Sequence, residues 1–329
     1  MKILVTGATG HLGANLVREL IRRGEEVKVL VREQSSHREI EGLGVERAFG
    51  DLKDSKSIAE AVKGCDRVYH LAAFVSIRSG DRDKLYDINV LGTRRLMQEC
   101  RKQEVQKVVH CSSLGAVGTN PNGASNENWA VSPYEITTDY EIAKTFAELE
   151  VYKEIAKGLP AVIVNPSGIV GPWDFKPSMV GKTILDFARG KMKAYVDGAF
   201  DFVAMQDVVQ GHILAMEKGK IGERYLLTGE EVSIGKTLEW LEELTGVKKP
   251  KVKIPHGLMQ NIAVVKDWVE RKFFPQVIPR FNYHSIRLLK SGKYGDNTKA
   301  IKELGLTPTP VKEAYLESVE WFKEFGYIE

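Results

Sequence analysis

Cysteine is scarce in this chain. Cys65, Cys100 and Cys111 are the three in 329 residues, and their spacing fits neither a disulfide framework nor a zinc site. A stapled secreted scaffold is thereby excluded, and a reducing, cytoplasmic compartment is expected. The seven histidines are scattered and form no HxxxH pair, so no metal site is expected. No apolar run is long enough to span a membrane. The first strand starts at Lys2, which leaves no room for a signal peptide. An excess of one charge is also missing: the net charge is only +3, too little to imply a nucleic-acid partner. Lys248, Lys249, Lys251 and Lys253 cluster around a proline and read as a solvated turn. There is no internal repeat and no low-complexity tract. What is present, 43% hydrophobic and 28% charged residues, describes an ordinary globular chain with a substantial core.

The most informative stretch is Lys2 to Gly24. Ile3, Leu4 and Val5 form the apolar run of a buried parallel strand. It passes directly into Gly7, Gly10 and Gly13, then into Leu12, Leu16, Val17, Leu20 and Ile21 at helical spacing. Arg22 and Arg23 face the negative end of that helix, and Gly24 turns the chain out of it. Strand, glycine loop and helix together set backbone N–H groups and a helix N-terminus against a dinucleotide pyrophosphate. Gly7, Thr9, Gly10, His11, Leu12 and Gly13 are the expected contacts.

The loop is GxxGxxG rather than GxGxxG, and TGATGHLG resembles the extended branch of the short-chain dehydrogenase/reductase superfamily, the NAD-dependent epimerase/dehydratase family. The resemblance runs with motifs from Met1 to about Leu227 and more loosely to the end. The expected fold is α/β, a Rossmann-type doubly wound parallel sheet with a smaller α+β substrate-binding domain. Residues 1–165 and 203–228 would form the dinucleotide-binding domain, and 166–202 and 229–329 the substrate domain.

Further strands are expected at Glu26–Arg32, Val45–Asp51, Asp66–Ala73, Val105–Leu114, Pro160–Val164 and Arg224–Thr228. Arg32, at the end of the second, suits a 2′-phosphate better than a ribose hydroxyl, which favours NADP while leaving NAD open. The resemblance sets Asp51 and Leu52 beside the adenine. The small residues Ala72 and Ala73, after Leu71, allow a close approach to the cofactor. Helices are expected over Ile58–Lys63, Asp81–Gln103, from the Thr138/Glu141 capping box to Gly158, and later over Gly235–Gly246, Pro255–Phe274 and Pro310–Phe325. The polar loop from Gly118 to Pro133 is long enough to suggest a functional role.

Tyr140 and Lys144 lie four apart on one helix, hence on one face. A free phenol has a pKa of about 10, and a neighbouring ammonium is expected to draw it down toward neutrality. The same lysine can reach cofactor ribose hydroxyls. By resemblance Ser113, at the end of the fifth strand with Ser112 beside it, hydrogen-bonds the substrate oxygen, and the Asn89 amide helps hold the proton relay. Pro166 and Ser167 would pack on the nicotinamide, and Ala143 departs from the family's usual serine. The resemblance also implies a homodimer through the helices Asp81–Gln103 and Asp139–Gly158.

Nucleotide-sugar members usually carry an arginine just before FVxxxD to neutralise the diphosphate; here the residue is Phe200. Phe74, Trp173 and Phe200, with Ser113, are the substrate-lining candidates, in a region that also holds Phe175, Phe202, Phe273, Phe274 and Phe281. The expected substrate is therefore a small apolar molecule, and the resemblance to dihydroflavonol-type reductases and 3β-hydroxysteroid dehydrogenases implies an aromatic, flavonoid- or steroid-like one. The reaction expected is hydride transfer between nicotinamide and its carbonyl or secondary alcohol. Nucleotide-sugar epimerisation or dehydration stands as the alternative, and a non-catalytic NADP sensor as a third reading that Tyr140 and Lys144 argue against.

Overall fold

In β1 (Lys2–Thr6), Ile3 and Val5 point into one hydrophobic cluster and Leu4 into another. A strand covered on both faces must be apolar throughout rather than alternating, which is the reason this run reads as it does. The computed structural model describes every residue except 77, 79, 133–137, 197, 256, 258–292 and 329. The main sheet adds β2 (Glu26–Val31), β3 (Glu46–Phe49), β4 (Arg67–His70), β5 (Lys107–Cys111), β6 (Ala161–Pro166) and β10 (Arg224–Leu227) to β1. All its pairs are parallel, in the order β10-β6-β5-β4-β1-β2-β3. The order reverses between β1 and β4, and the crevice at their carboxyl ends is where such a sheet takes its ligand.

Helices α1 (His11–Arg22) and α7 (Met205–Lys218) cover one face through Leu16, Leu20 and Ile213. α2 (Ser55–Val62), α4 (Gly92–Lys102) and α5 (Asp139–Ile155) cover the other through Ile58, Leu96 and Val151. The expected helix at Asp81–Gln103 is in three parts: α3 (Arg82–Leu85), a π turn (Tyr86–Leu91) and α4.

The second module holds a three-stranded sheet of β7 (Gly168–Val170), β9 (Ala199–Ala204) and β11 (Glu230–Ser233), in the order β11-β9-β7. A smaller pair joins β8 (Ala194–Val196) to β12 (Val252–Ile254). Its core, including Phe187, Leu241, Tyr315 and Phe322, is supplied by α6 (Met179–Ala188), α8 (Ile234–Thr245) and α9 (Val311–Glu324).

The structure amends several expectations. Val203 and Ala204, expected in the nucleotide-binding domain, belong to β9 and the second sheet, so the chain returns to the main sheet at α7. Ala300, Leu304 and Leu306 join the core under α1 and α7, so this late stretch packs with the nucleotide-binding sheet rather than with the second module. β4 stops at His70, three residues short, because Leu71, Ala72 and Ala73 are drawn across the glycine loop. The helix expected at Pro255–Phe274 falls almost wholly outside the described residues, as do Phe273, Phe274 and Phe281. Part of the long polar loop has a structural use: the Glu127 carboxylate accepts the Leu226 N–H at 2.9 Å and so closes the outer edge of β10.

Candidate active site

The glycine loop closes by contacts that no side chain would allow. Gly7 has φ +77°, and a Cβ there would lie 2.6 Å from the Ala72 nitrogen. A Cβ at Gly13 would lie 2.1 Å from the Gly7 oxygen. The Thr6 hydroxyl accepts from Ala72 N at 3.3 Å, and Leu71 N donates to the Thr6 carbonyl at 3.2 Å, which pins the chain after β4 to the end of β1. Gly10 caps α1 without any side-chain hydrogen bond, and the first turn carries no acid. The N–H groups of that turn and the positive helix end therefore remain for an anion. This cradle fits a dinucleotide pyrophosphate. The His11 ring is directed elsewhere: Nε2 lies 3.1 Å from the Gly171 carbonyl and 3.0 Å from that of Pro172, so it carries the hydrogen and ties the loop to the second module.

Arg32 lies exposed just past β2, and its carbonyl accepts from the Ser35 amide, the Ser35 hydroxyl and His37 Nε2, at 2.8–3.1 Å. Asp51 turns its carboxylate onto Lys53 N at 2.9 Å, while Leu52 is buried against Gly92. Pro166 ends β6, and Ser167 N donates to the Leu227 carbonyl at 3.2 Å.

The trio expected from the sequence comes from the turn after β5, which carries Ser113, and from α5, which carries Tyr140 and Lys144. Thr138 and Glu141 form the capping box that starts α5, which places Tyr140 in its first turn. The Ser113 and Tyr140 hydroxyls are neighbours, and Ser113 Oγ accepts from Gly115 N at 3.1 Å. Lys144 is 4% exposed and donates to the Cys111 carbonyl at 2.8 Å. The phenol pKa departs from the sequence expectation. Burial pushes Tyr140 above its usual range, opposed by the neighbouring Ser113 hydroxyl, and burial also pulls the Lys144 ammonium down.

Asn89 corrects a second expectation. Its amide oxygen accepts from Phe74 N at 2.7 Å, and its amide nitrogen donates to the Phe74 carbonyl at 2.9 Å. Beyond β4 the chain has no strand partner, so the side chain in the π turn satisfies those backbone groups instead of joining the relay. Phe74 is thereby held in one small cluster with Tyr140, Leu85, Val90 and Ala143.

Trp173 and Phe200 are placed differently from expectation. Trp173 has φ 64°, and its ring is packed between the Arg18 guanidinium, 3.9 Å from the centroid, and the rings of Trp321 and Phe325. Phe175 joins the same cluster. Phe200 lies on β9 opposite Val232 and packs on Phe202 at 6.0 Å between centroids. These rings build the second module's core and its seam with α1. Among the described residues no three metal-binding side chains gather, and no helix is long and apolar enough to cross a membrane.

Residues 3–228 match the model of the NAD dependent epimerase/dehydratase family. The chain belongs to that family. Sterol demethylase protein B from Methylococcus capsulatus is 60% identical over 328 residues, covering 100% of both chains. Mouse sterol-4-alpha-carboxylate 3-dehydrogenase, decarboxylating, is 29% identical over 339 residues, 98% of this chain and 91% of its own. The crystal structure of gox2253 matches with a TM-score of 0.88 and 38% identity, covering 99% of each chain. This family member is an enzyme of oxidoreductase type, and its family is NAD-dependent.

Behind the trio of this epimerase/dehydratase-family enzyme lie polar residues that the sequence reading passed over. Glu148, Asn165 and Asp201 are all nearly fully buried. Asp201 accepts from Gly229 N at 3.1 Å and Gly295 N at 2.9 Å, joining the two returns of the chain. Glu148 continues the Tyr140–Lys144 spacing by four more residues, a signal visible in the sequence but unused.

Proposed function

We propose that this enzyme oxidises a sterol secondary alcohol to the ketone, at a carbinol whose neighbouring carbon bears a carboxylate. The observation that carries the reading is the Ser113–Tyr140 hydroxyl pair, with Lys144 one turn along α5. Support for the substrate class comes from the sterol-acting relatives. Ser113 orients the substrate oxygen, and Tyr140 takes the hydroxyl proton as the carbinol hydrogen departs with its electron pair. The nicotinamide, when bound, accepts that hydride. The ketone so formed lies β to the carboxylate, so the bond to CO2 breaks with its electrons entering the enolate, which then takes a proton on carbon.

The cofactor assigned is NADP, held through its 2′-phosphate by Arg32. The place of action assigned is the cytoplasm, in keeping with three unpaired, buried cysteines. A homodimer forms through α3–α4 and α5, whose outer surface exposes Tyr86, Phe146 (43%) and Leu149 (49%); light scattering at micromolar concentration would read twice the chain mass. The test of function supplies a 3-hydroxysterol-4α-carboxylate with NADP+. Reduced cofactor, CO2 and 3-oxosterol should appear in equal amounts, and UDP-glucose should be inert. Interconversion of UDP-sugars without release of reduced cofactor would overturn the reading.

A further inference from the structure

Glu148 is a buried carboxylate with no part in the chemistry above, yet it is joined through Asn165 to the backbone of Ser113. It lies on α5 two turns beyond Tyr140 and is 4% exposed. One oxygen accepts from Asn165 Nδ2 at 2.7 Å. The same nitrogen donates its other hydrogen to the backbone carbonyl of Ser113 at 2.9 Å. Asn165 sits fully buried in β6, and its own amide oxygen finds no partner among the described residues. Turning that amide over would set an oxygen against a carboxylate and a carbonyl, so Glu148 fixes which end of Asn165 meets Ser113.

The second carboxylate oxygen faces Arg224 at 3.4 Å. Arg224 Nε donates to the Glu127 carbonyl at 2.8 Å, and its terminal nitrogen to that of Trp129 at 3.1 Å. One carboxylate thus links the strand end that carries the catalytic hydroxyl to the long segment at 118–132. Burial pushes the Glu148 carboxyl up, opposed by Ser112, Arg224, Asn165 and Lys144.

We propose that Glu148 is a positioning residue: through Asn165 it sets the place of the Ser113 hydroxyl, and through Arg224 it makes the segment at 126–129 move with it. The proposal rests on reading Ser113 and Tyr140 as the reacting pair. Its chemistry is purely geometric. A shift of about 1 Å at a reacting group is enough to cost on the order of a hundredfold in rate.

The test measures cofactor reduction with a 3-hydroxysterol-4α-carboxylate, alongside hydrogen exchange of the intact protein. Glu148→Ala should lower kcat by about tenfold to a hundredfold while leaving the cofactor KM near its wild-type value. Glu148→Gln keeps an acceptor for Asn165 and should recover most of that loss. In a Ser113→Ala background, Glu148→Ala should cost nothing further, since no hydroxyl remains to be placed. Should Glu148→Ala not fold, Asn165→Ala removes the same link and carries the same expectations. Exchange at 111–118 should quicken in either alanine variant, and in Glu148→Ala also at 125–131. Full additivity with Ser113→Ala, or unchanged exchange at 111–118, overturns the proposal. A wild type inert toward the sterol would sink the proposed reaction, while the exchange result would still decide the positioning role.

Discussion

The nucleotide-binding end and the second module are built on opposite principles. At the first, backbone meets backbone: Gly13 has no room for a Cβ against Gly7 and Ala8, nor Gly7 against Leu71 and Ala72. In the second, aromatic side chains from distant stretches fill the space, as when Trp173 packs on Arg18 and Trp321. Backbone packing tolerates almost no substitution and so writes a motif. Aromatic packing accepts many solutions and writes none. The difference predicts that chemistry and stability can be damaged separately.

The largest separation should come from Tyr140→Phe. Turnover should fall by at least two orders of magnitude, the usual scale of lost acid/base catalysis. Cofactor affinity and melting temperature should hold. Because burial raises the phenol pKa, wild-type alcohol oxidation should keep rising with pH past about 9, as more of the base is deprotonated. A flat profile there would argue against Tyr140 as the base.

Trp173→Ala should do the reverse. Emptying this partly buried site should cost about 2–3 kcal/mol in denaturant unfolding, with cofactor affinity unchanged. If affinity fell as well, the seam between α1 and the second module would matter to the cradle more than this comparison allows.

Arg32→Asp probes the cradle without disturbing either core. NADP should bind about 1.5–3 kcal/mol more weakly, the scale of a charge-assisted hydrogen bond, while NAD changes little in a titration of both. Equal losses would remove Arg32 from 2′-phosphate recognition.

The smallest effect concerns acid. His70 and His212 are buried neutral, with pKa values pushed down by desolvation to about 3 and about 4. Unfolded, each would bind a proton near its ordinary value of about 6.5. Their contribution is therefore complete above that pH and is lost as pH falls from it toward 4 and 3. His110, also buried and pushed well down, adds to the same loss, whereas the Glu150 carboxyl, held at about 2 by Arg94, begins to matter only below about pH 4.5. Melting temperatures across that window should decline, and a constant value would contradict the assignment.

These same two principles explain what could be read from the sequence. Gly7, Gly10 and Gly13 with β1 and α1, the capping box before α5, and the Tyr140–Lys144 spacing are all local patterns, and each appears in the structure where the chain wrote it. The sheet of β7, β9 and β11 was not legible, because its strands are three to six residues long and come from separated stretches. Nor was the Asn89 clasp on Phe74, which depends on a π turn, or the Glu148–Asn165–Arg224 chain, which needs three elements brought together. The aromatic residues were legible as a cluster but not as a core, since hydrophobic area alone does not say which side of it faces a ligand.

In the proposed reaction, hydride leaves the substrate carbinol for a cofactor that is then released. A 3-hydroxysterol-4α-carboxylate carrying deuterium on the carbinol carbon tests it directly. Deuterium should appear on free reduced cofactor, one atom per ketone formed. Retention of the label in the organic substrate, with cofactor bound throughout and no net reduction, would contradict it.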